Sequence, residues 1–257
     1  MQRYFILEDE NWTNEHVRIT GDDVHHISRV MRGKVGDSII CNRRDGKAAV
    51  CEISEITDDA VQATIIEWLE QDSELPVEVT IVQGLPKGDK FEYILQKGTE
   101  LGASRFIPFQ AKRSIVVWDK KKMAKKQNRF EKIVKEASEQ SHRSILPKVD
   151  DVVDLQQLLE ISESYDMCVF AYEEEAKKDS YRSFATILKR MEYGMRMMVC
   201  IGPEGGFSDD EAVKLMEHGF RPIRLGPRIL RTETASLYAL SSISYHFEEL
   251  RWNECKQ

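Results

Sequence analysis

The chain has 257 residues, of which 41% are hydrophobic and 32% charged, a balance that fits a globular protein and excludes a disordered one. No apolar run approaches the roughly 18 residues that span a bilayer, and acidic residues interrupt the first apolar stretch, so we expect a cytoplasmic protein without a signal peptide. The five cysteines are scattered and the histidines form no ligand pattern. We therefore expect reduced thiols and no metal site.

The net charge of −7 is unevenly distributed. The stretch 86–149 contains 16 Lys and Arg against 7 Asp and Glu, which makes it strongly basic within an acidic protein. A basic region can attract a polyanion such as a nucleic acid, but a solvated helical face would have the same composition. Charge alone leaves both interpretations open.

Residues 1–72 are predicted to form a small, mostly β domain. The run RYFIL is strand-like, and GDDVHHISRVMR has apolar residues at helical spacing. The β-rich runs VGDSIICN and KAAVCEISEI flank the sequence Arg43-Arg44-Asp45-Gly46, whose Asp-Gly pair is typical of a hairpin turn. VQATIIEWL predicts a further strand, and short strands joined by turns favour a small barrel.

Residues 73–257 follow a polar stretch that ends in proline, and their pattern is different. Apolar strands such as VEVTIVQGL, SRFIPFQ and RMMVCIGPE alternate with helical segments such as GDKFEYILQKGTELG and NRFEKIVKEASEQSHR. This alternation predicts an α/β domain with a parallel sheet and a long final helix. The lysine-rich run Lys120–Lys126 is predicted to be a charged loop.

Two connections in the C-terminal third carry candidate chemistry. The glycine-rich segment Ile201–Phe207 (IGPEGGF) follows an apolar strand, which is where open α/β sheets bind ligands, although many glycine-rich segments are only tight turns. Its spacing fits neither the dinucleotide fingerprint nor the phosphate loop. The segment Leu225–Ala235 (LGPRILRTETA) also joins a strand to a helix. Helix capping by a threonine would leave Arg228, Arg231 and Glu233 unexplained.

Together, the GPEGGFS loop and the LGPRILRTETA segment resemble the knotted SPOUT methyltransferases. Within them the chain resembles the RsmE family, which methylates N3 of a uridine in 16S ribosomal RNA of the small subunit. The likeness extends over nearly the whole chain, through RYF near the start, HISRVMR, QKGTELG and EASEQ. The lysine-rich run is the one departure, and it touches no motif.

The resemblance implies the following architecture. Residues 1–72 would form a PUA-like β-barrel that binds RNA, and residues 73–257 a SPOUT-type α/β domain with a trefoil knot. S-adenosylmethionine would lie in the knotted cleft, and the active site would be at the interface of a homodimer. The final helix also carries an apolar stripe that one subunit is not expected to cover fully. The stripe consists of Leu237, Leu240, Ile243, Phe247 and Leu250.

A pocket of backbone groups with apolar walls suits the adenine and methionyl parts of this cofactor. Three segments at strand ends are predicted to supply it. They contribute Ala171, Tyr172, Glu173, Ile201, Gly202, Pro203, Glu204, Gly205, Gly206, Leu225, Gly226, Ile229, Leu230, Thr232 and Ala235.

Arg231 and Glu233 are the predicted catalytic residues. The N3–H of uridine is a weak acid, and a nearby guanidinium favours its anion. Arg231 would hold the uracil oxygens and spread this charge, and Glu233 would steer Arg231 or accept the proton. The structural alternative is that Arg231 only neutralises Glu233 in an ion pair.

Predicted RNA contacts come from both parts of the chain. Gln140 and Arg143 recur with Glu136 on one helix face, which fits either RNA contact or a solvated face. The full predicted set is Arg3, Arg29, Arg32, Arg43, Arg44, Lys97, Gln140 and Arg143. Two other functions stay open, namely a ribose 2′-O-methyltransferase of the same superfamily acting on transfer or ribosomal RNA, and a non-catalytic RNA-binding protein.

Overall fold

The computed structural model describes residues 1–70, 73–172 and 183–250. The chain divides into two compact units, of which unit 1 comprises residues 1–74 and 138–146, and unit 2 comprises residues 75–137 and 147–257. Unit 1 thus includes a short segment from the middle of the chain. As functional domains, residues 1–72 and 73–257 stay a prediction.

Unit 1 is built around a five-stranded sheet with the order β1-β3-β4-β5-β2. The strands are β1 (Arg3–Phe5), β2 (His16–Thr20), β3 (Ser38–Asn42), β4 (Ala48–Ile56) and β5 (Ala60–Leu69). β3 and β4 form the predicted hairpin, and Gly46 adopts a φ of 83° in its turn, a value that glycine tolerates best. β2 alternates exposed and buried residues, as a strand with one face on the core does.

The predicted helix of unit 1 is short. It consists of α1 (Asp22–His25) and a π-helical turn (His26–Val30). Val24 and Ile27 enter the core, whereas Met31, which has the same helical spacing, is 43% exposed. The helix therefore contributes only its first apolar residues to the core.

Unit 2 contains a six-stranded parallel sheet with the order β11-β9-β10-β6-β7-β8, which confirms the predicted α/β architecture. Its strands are β6 (Glu78–Gly84), β7 (Arg105–Phe109), β8 (Lys148–Val149), β9 (Met167–Ala171), β10 (Arg196–Ile201) and β11 (Arg221–Ile223). The central strands β6 and β10 are buried along almost their whole length, as expected when a parallel sheet is covered on both faces.

Six further helices follow in chain order. They are α2 (Lys90–Glu100), α3 (Lys120–Gln140), α4 (Leu155–Ser162), α5 (Phe184–Leu188), α6 (Asp209–Glu217) and α7 (Thr232–Ser244), with a π-helical turn (Tyr245–Leu250) after α7. The prediction of a loop over Lys120–Lys126 was wrong, because these residues form the first turns of α3. The Asp119 carboxylate accepts a hydrogen bond from the backbone N–H of Lys122 at 2.7 Å and so caps the helix.

The apolar stripe of the final helix faces inward. Leu240, Ile243 and Phe247 are buried within their own chain, and Leu250 is 57% exposed. The expectation of an uncovered stripe was therefore wrong for its central residues, while the homodimer and the trefoil knot stay predictions. Within the described ranges, no helix combines the length and apolar character that crossing a bilayer demands, and no group of three metal-ligating side chains converges.

Candidate active site

An open cleft of about 1140 Å³ lies where three neighbouring strands of unit 2 end. The last residues of β9, β10 and β11, which are Ala171, Ile201 and Ile223, all line it. Ligands of open α/β sheets bind at this edge, and the cleft has the size of a small-molecule site.

Every predicted cofactor residue that the structure describes lines this cleft. Glu173 lies outside the described residues. The lining also includes residues that were not assigned from the sequence, namely Lys90, Arg113, Phe207, Asp209, Met216, Ile223, Arg224, Pro227 and Arg228. Lys90 and Arg113 are far from the two motifs in sequence, and no local pattern marks them.

The glycine-rich loop is a bare backbone surface because its neighbours leave no room for side chains. A Cβ at Gly84, the last residue of β6, would lie 2.8 Å from the carbonyl carbon of Gly202 and closer still to Pro203. A Cβ at Gly202 would lie 3.0 Å from the Cα of Gly206, whose φ of 65° favours glycine. The loop therefore folds back tightly on itself and on β6.

Arg113 braces the loop from outside. Its Nη1 donates hydrogen bonds to the carbonyl of Phe207 at 2.9 Å and, more weakly, to that of Gly205 at 3.4 Å. A Cβ at Gly205 would meet Arg113 at 3.0–3.1 Å. A side chain at Gly205 would therefore disturb the brace as well as the cleft.

A buried polar network joins the loop to β6 and α7. The Thr232 hydroxyl donates to the Gly202 carbonyl at 2.6 Å and accepts from Gln83 Nε2 at 2.7 Å. The Ser236 hydroxyl donates to Gln83 Oε1 at 2.5 Å. All three side chains are buried, so the network fixes the start of α7 against the loop. Thr232 was predicted as a cofactor contact, and its hydroxyl is engaged in this support.

Lys90 connects two acidic residues at the rim of the cleft. Its Nζ lies 3.2 Å from Glu204 Oε1 and 3.2 Å from Glu233 Oε2. The hydrogen bond to Glu233, reinforced by that to Glu204, raises the pKa of Lys90. Burial acts to raise the pKa of Glu204, but hydrogen bonds from backbone N–H groups, including that of Lys87, and from Lys90 outweigh it and lower this pKa. Lys90 therefore ties the glycine-rich loop to the first turn of α7.

Arg231 is not the partner of Glu233. Glu233 is 14% exposed and pairs with Lys90, whereas Arg231 is exposed and precedes α7 with extended backbone angles. Among the described residues, no hydrogen bond or ion pair engages the guanidinium of Arg231 or of Arg228. Both arginines line the cleft and are available to a ligand.

Two predicted RNA contacts, Arg3 and Arg143, are buried in unit 1. The Arg143 side chain is 3% exposed and forms a bidentate ion pair with Glu74. Its backbone carbonyl accepts hydrogen bonds from Arg3 at 3.1 Å and from Asn42 at 2.8 Å. The burial argues against RNA contact by either arginine and gives them a structural role, which corrects both predictions.

The other predicted RNA contacts lie at the surface. Arg43 pairs with Asp45 and lies over the ring of Trp68 at 5.5 Å, and Lys97 pairs with Glu100 at 2.7 Å. The remaining four are exposed, namely Arg29, Arg32, Arg44 and Gln140. These four are the better candidates for RNA contact.

Comparison with known proteins gives a consistent result. Residues 73–244 match the model of an RNA methyltransferase domain, and residues 19–66 match an RNA methyltransferase PUA domain. The chain is 50% identical to the ribosomal RNA small subunit methyltransferase E of Bacillus subtilis, over 99% of this chain and 100% of the relative. The relative of the same name from Synechocystis is 31% identical, over 93% and 76%.

A crystal structure gives the same relationship in three dimensions. The ribosomal RNA small subunit methyltransferase E of Neisseria gonorrhoeae, bound to S-adenosyl methionine, has a TM-score of 0.82 at 28% identity, over 95% of this chain and 97% of that one. Full-length identity, both domain matches and this structure agree. The chain therefore belongs to the family of ribosomal RNA small subunit methyltransferases E, the RsmE family of SPOUT-type enzymes.

Proposed function

We propose that this protein transfers a methyl group from S-adenosylmethionine to N3 of a uridine in 16S ribosomal RNA of the small subunit. The observation that carries the proposal is the cleft at the strand ends of unit 2, with two unpartnered arginines, Arg228 and Arg231, in its lining. The membership of the RsmE family supports the ribosomal substrate. An intact, glycine-lined cleft also favours an enzyme over a non-catalytic RNA-binding protein.

The residues of the cleft fit the cofactor. The backbone of Gly202–Gly206 is open to hydrogen bonding by the polar groups of the adenine and methionyl parts, and Ile223 and Leu225 offer apolar wall. A Cβ at several of these glycines would fill the space. When bound, S-adenosylmethionine supplies a methyl group on a sulfonium centre, which a nitrogen nucleophile can accept.

The chain's own residues prepare the uridine. A guanidinium stays charged at any working pH and presents a planar fork of donors, so Arg231 can hold the uracil oxygens and favour the N3 anion. The buried network of Gln83, Thr232 and Ser236 fixes the helix that follows Arg231. Through Lys90, Glu233 positions the glycine-rich loop, and we retain its role as proton acceptor only as a prediction.

The wider assembly is part of the proposal. Residues 1–72 form the PUA-like RNA-binding domain, with Arg29, Arg32 and Arg44 as phosphate contacts. The protein acts in the cytoplasm as a homodimer. Light scattering at micromolar concentration tests this state, and a monomeric mass would exclude it.

Mapping the modified nucleotide tests the reaction. Ribosomal RNA from cells with and without the gene is compared by mass spectrometry of nucleosides, by reverse transcription and by alkaline hydrolysis. An N3-methyl group removes the pairing donor of uracil, so we expect reverse transcription to stop at one site that disappears with the gene. A 2′-O-methyl group would instead protect one phosphodiester from alkali, and that result would favour the ribose methyltransferase.

A further inference from the structure

A group of lysines at the start of α3 is unusually poorly neutralised. We call Lys121, Lys122, Lys125 and Lys126 the lysine face. The members repeat at i and i+4, so like charges lie one turn apart, and the first turn of α3 contains no acidic residue. Within the described chain, Lys121 and Lys125 make no hydrogen bond or ion pair, and both are exposed. This arrangement works against local stability, so it calls for another explanation.

The loop before the lysine face exposes two apolar side chains. Ile115 is 66% exposed and Val117 59% exposed. The loop is nevertheless fixed, because the Gln110 side chain donates to the Val116 carbonyl at 3.1 Å and accepts from the Trp118 N–H at 3.3 Å. The two apolar side chains are therefore presented by a rigid scaffold.

Trp118 anchors the same loop to α2 and α3. It is 7% exposed and packs against Phe91 at a ring distance of 5.3 Å and against Phe130 at 5.7 Å. The Lys126 ammonium lies over the Trp118 ring at 5.3 Å, and Lys122 Nζ donates to the Val117 carbonyl at 3.1 Å. These contacts fix half of the lysine face in place.

The loop also leads to the cleft. Arg113, five residues before Trp118, donates to the carbonyls of the glycine-rich loop. A molecule that enters the cleft and follows this connection meets Ile115 and Val117 next, and then the lysine face. The surface therefore continues from the candidate active site within unit 2.

We propose that the lysine face, together with Ile115 and Val117, is a second RNA-docking surface of the methyltransferase unit. It rests on the proposed function and extends it. The lysines bind phosphates of the ribosomal RNA, and the two apolar side chains pack on adjoining sugar or base faces. RNA is favoured over an acidic protein because lysine is depleted in protein–protein interfaces and is a common phosphate ligand.

Direct binding tests the proposal independently of methylation. The affinity of the full chain for a naked 16S RNA fragment is measured by fluorescence anisotropy over a series of KCl concentrations. For the double variant K121E/K125E we expect about 10-fold weaker binding near 0.15 M salt, and a slope of log K against log salt that is smaller by about 1.5, as for two lost phosphate contacts. For I115S/V117S we expect weaker binding with an unchanged slope.

The control is K189E/K214E, which changes the net charge equally at exposed lysines elsewhere in unit 2. It should change affinity less than about twofold. Acidic residues suit the start of a helix, so K121E/K125E should melt no lower than the parent. Unchanged affinity and slope in K121E/K125E, or an equal loss in the control, would overturn the proposal. A loss seen only with assembled subunits would identify a ribosomal protein instead, and would also overturn it.

The two hypotheses fail in different ways. If the enzyme modifies a different atom of the RNA, the anisotropy result for the lysine face still stands. If the lysine face is not an RNA surface, methylation of N3 at saturating RNA is untouched by K121E/K125E.

Discussion

In unit 1 the Arg143 guanidinium is 3% exposed and bound by Glu74, whereas in unit 2 Arg231 is exposed in the lining of a cleft and has no partner among the described residues. Both arginines stand in motifs of the RsmE pattern, and their sequence neighbourhoods do not distinguish them. The difference lies in whether the fold has already neutralised the charge. A neutralised, buried charge supports structure, and an unneutralised charge at a cavity is available to a ligand.

The largest expected effect breaks the structural side of this comparison. Glu74→Ala leaves the buried Arg143 without its carboxylate, so the free energy of unfolding should fall by about 3–5 kcal/mol. Thermal and urea unfolding measure the loss. Glu100→Ala, which removes an exposed ion pair with Lys97, is the control and should cost less than about 1 kcal/mol. Similar small losses in both variants would show that Arg143 is not a structural arginine.

The functional side is tested by Arg231→Ala. A role in stabilising the transition state predicts turnover lower by roughly 100-fold or more, with little change in cofactor affinity or melting temperature. Steady-state kinetics at saturating RNA and cofactor measure it, and Arg190→Ala, an exposed arginine of the same unit, is the matched control. Turnover within a few-fold of the parent would sink the catalytic assignment.

Lys90 lies between the two extremes, since it is partly exposed and neutralised by two carboxylates. Lys90→Met removes the cation that joins Glu204 to Glu233, so the loop and α7 should separate and the KM for S-adenosylmethionine should rise about fivefold, with a smaller change in kcat. Lys90→Arg should restore most of the affinity. If Lys189→Met gives the same increase, or if kcat alone falls, the positioning role is wrong.

The smallest effect concerns an exposed arginine pair. The hydrogen bond from Arg43, which outweighs the effect of burial, lowers the pKa of Asp45 from 3.8 to about 2. Because this pKa is depressed in the folded state, the stabilisation is present above pH 3.8 and is lost as the pH falls towards 2. Solvent screening keeps it below about 1 kcal/mol. We expect Asp45→Asn, which retains the turn, to melt slightly lower than the parent at pH 6 and equally at pH 2; a gap that persists at pH 2 would contradict this.

The comparison also shows what the sequence can predict. The cleft follows from local signals, because a glycine-rich loop after an apolar strand places its backbone at the edge of a parallel sheet. The burial of Arg143 depends on Glu74, 69 residues away, and that of Arg3 on a carbonyl 140 residues away. No local pattern contains such information.

The start of α3 is a different case. Lysine is a good helix former, and Asp119 stands in the capping position, so the helix was present in local signals that the charge density obscured. Lys90 was missed because its partners, Glu204 and Glu233, are brought to it only by the sheet order. Composition describes such residues as surface charges, and the fold decides which of them meet.

The buried network beneath the cleft has a consequence for how the protein folds. Gln83 and Thr232 are 149 residues apart in the chain, and Gln83 and Ser236 are 153 apart. Contacts of such separation close a very long loop and form slowly, so a nascent chain that has not yet emerged past α7 has no site at all. We expect the amide of Thr232 to gain protection from hydrogen exchange after those of β6 and β7 during refolding, and earlier protection would contradict this order. Slow assembly would then limit how soon after synthesis the enzyme becomes active.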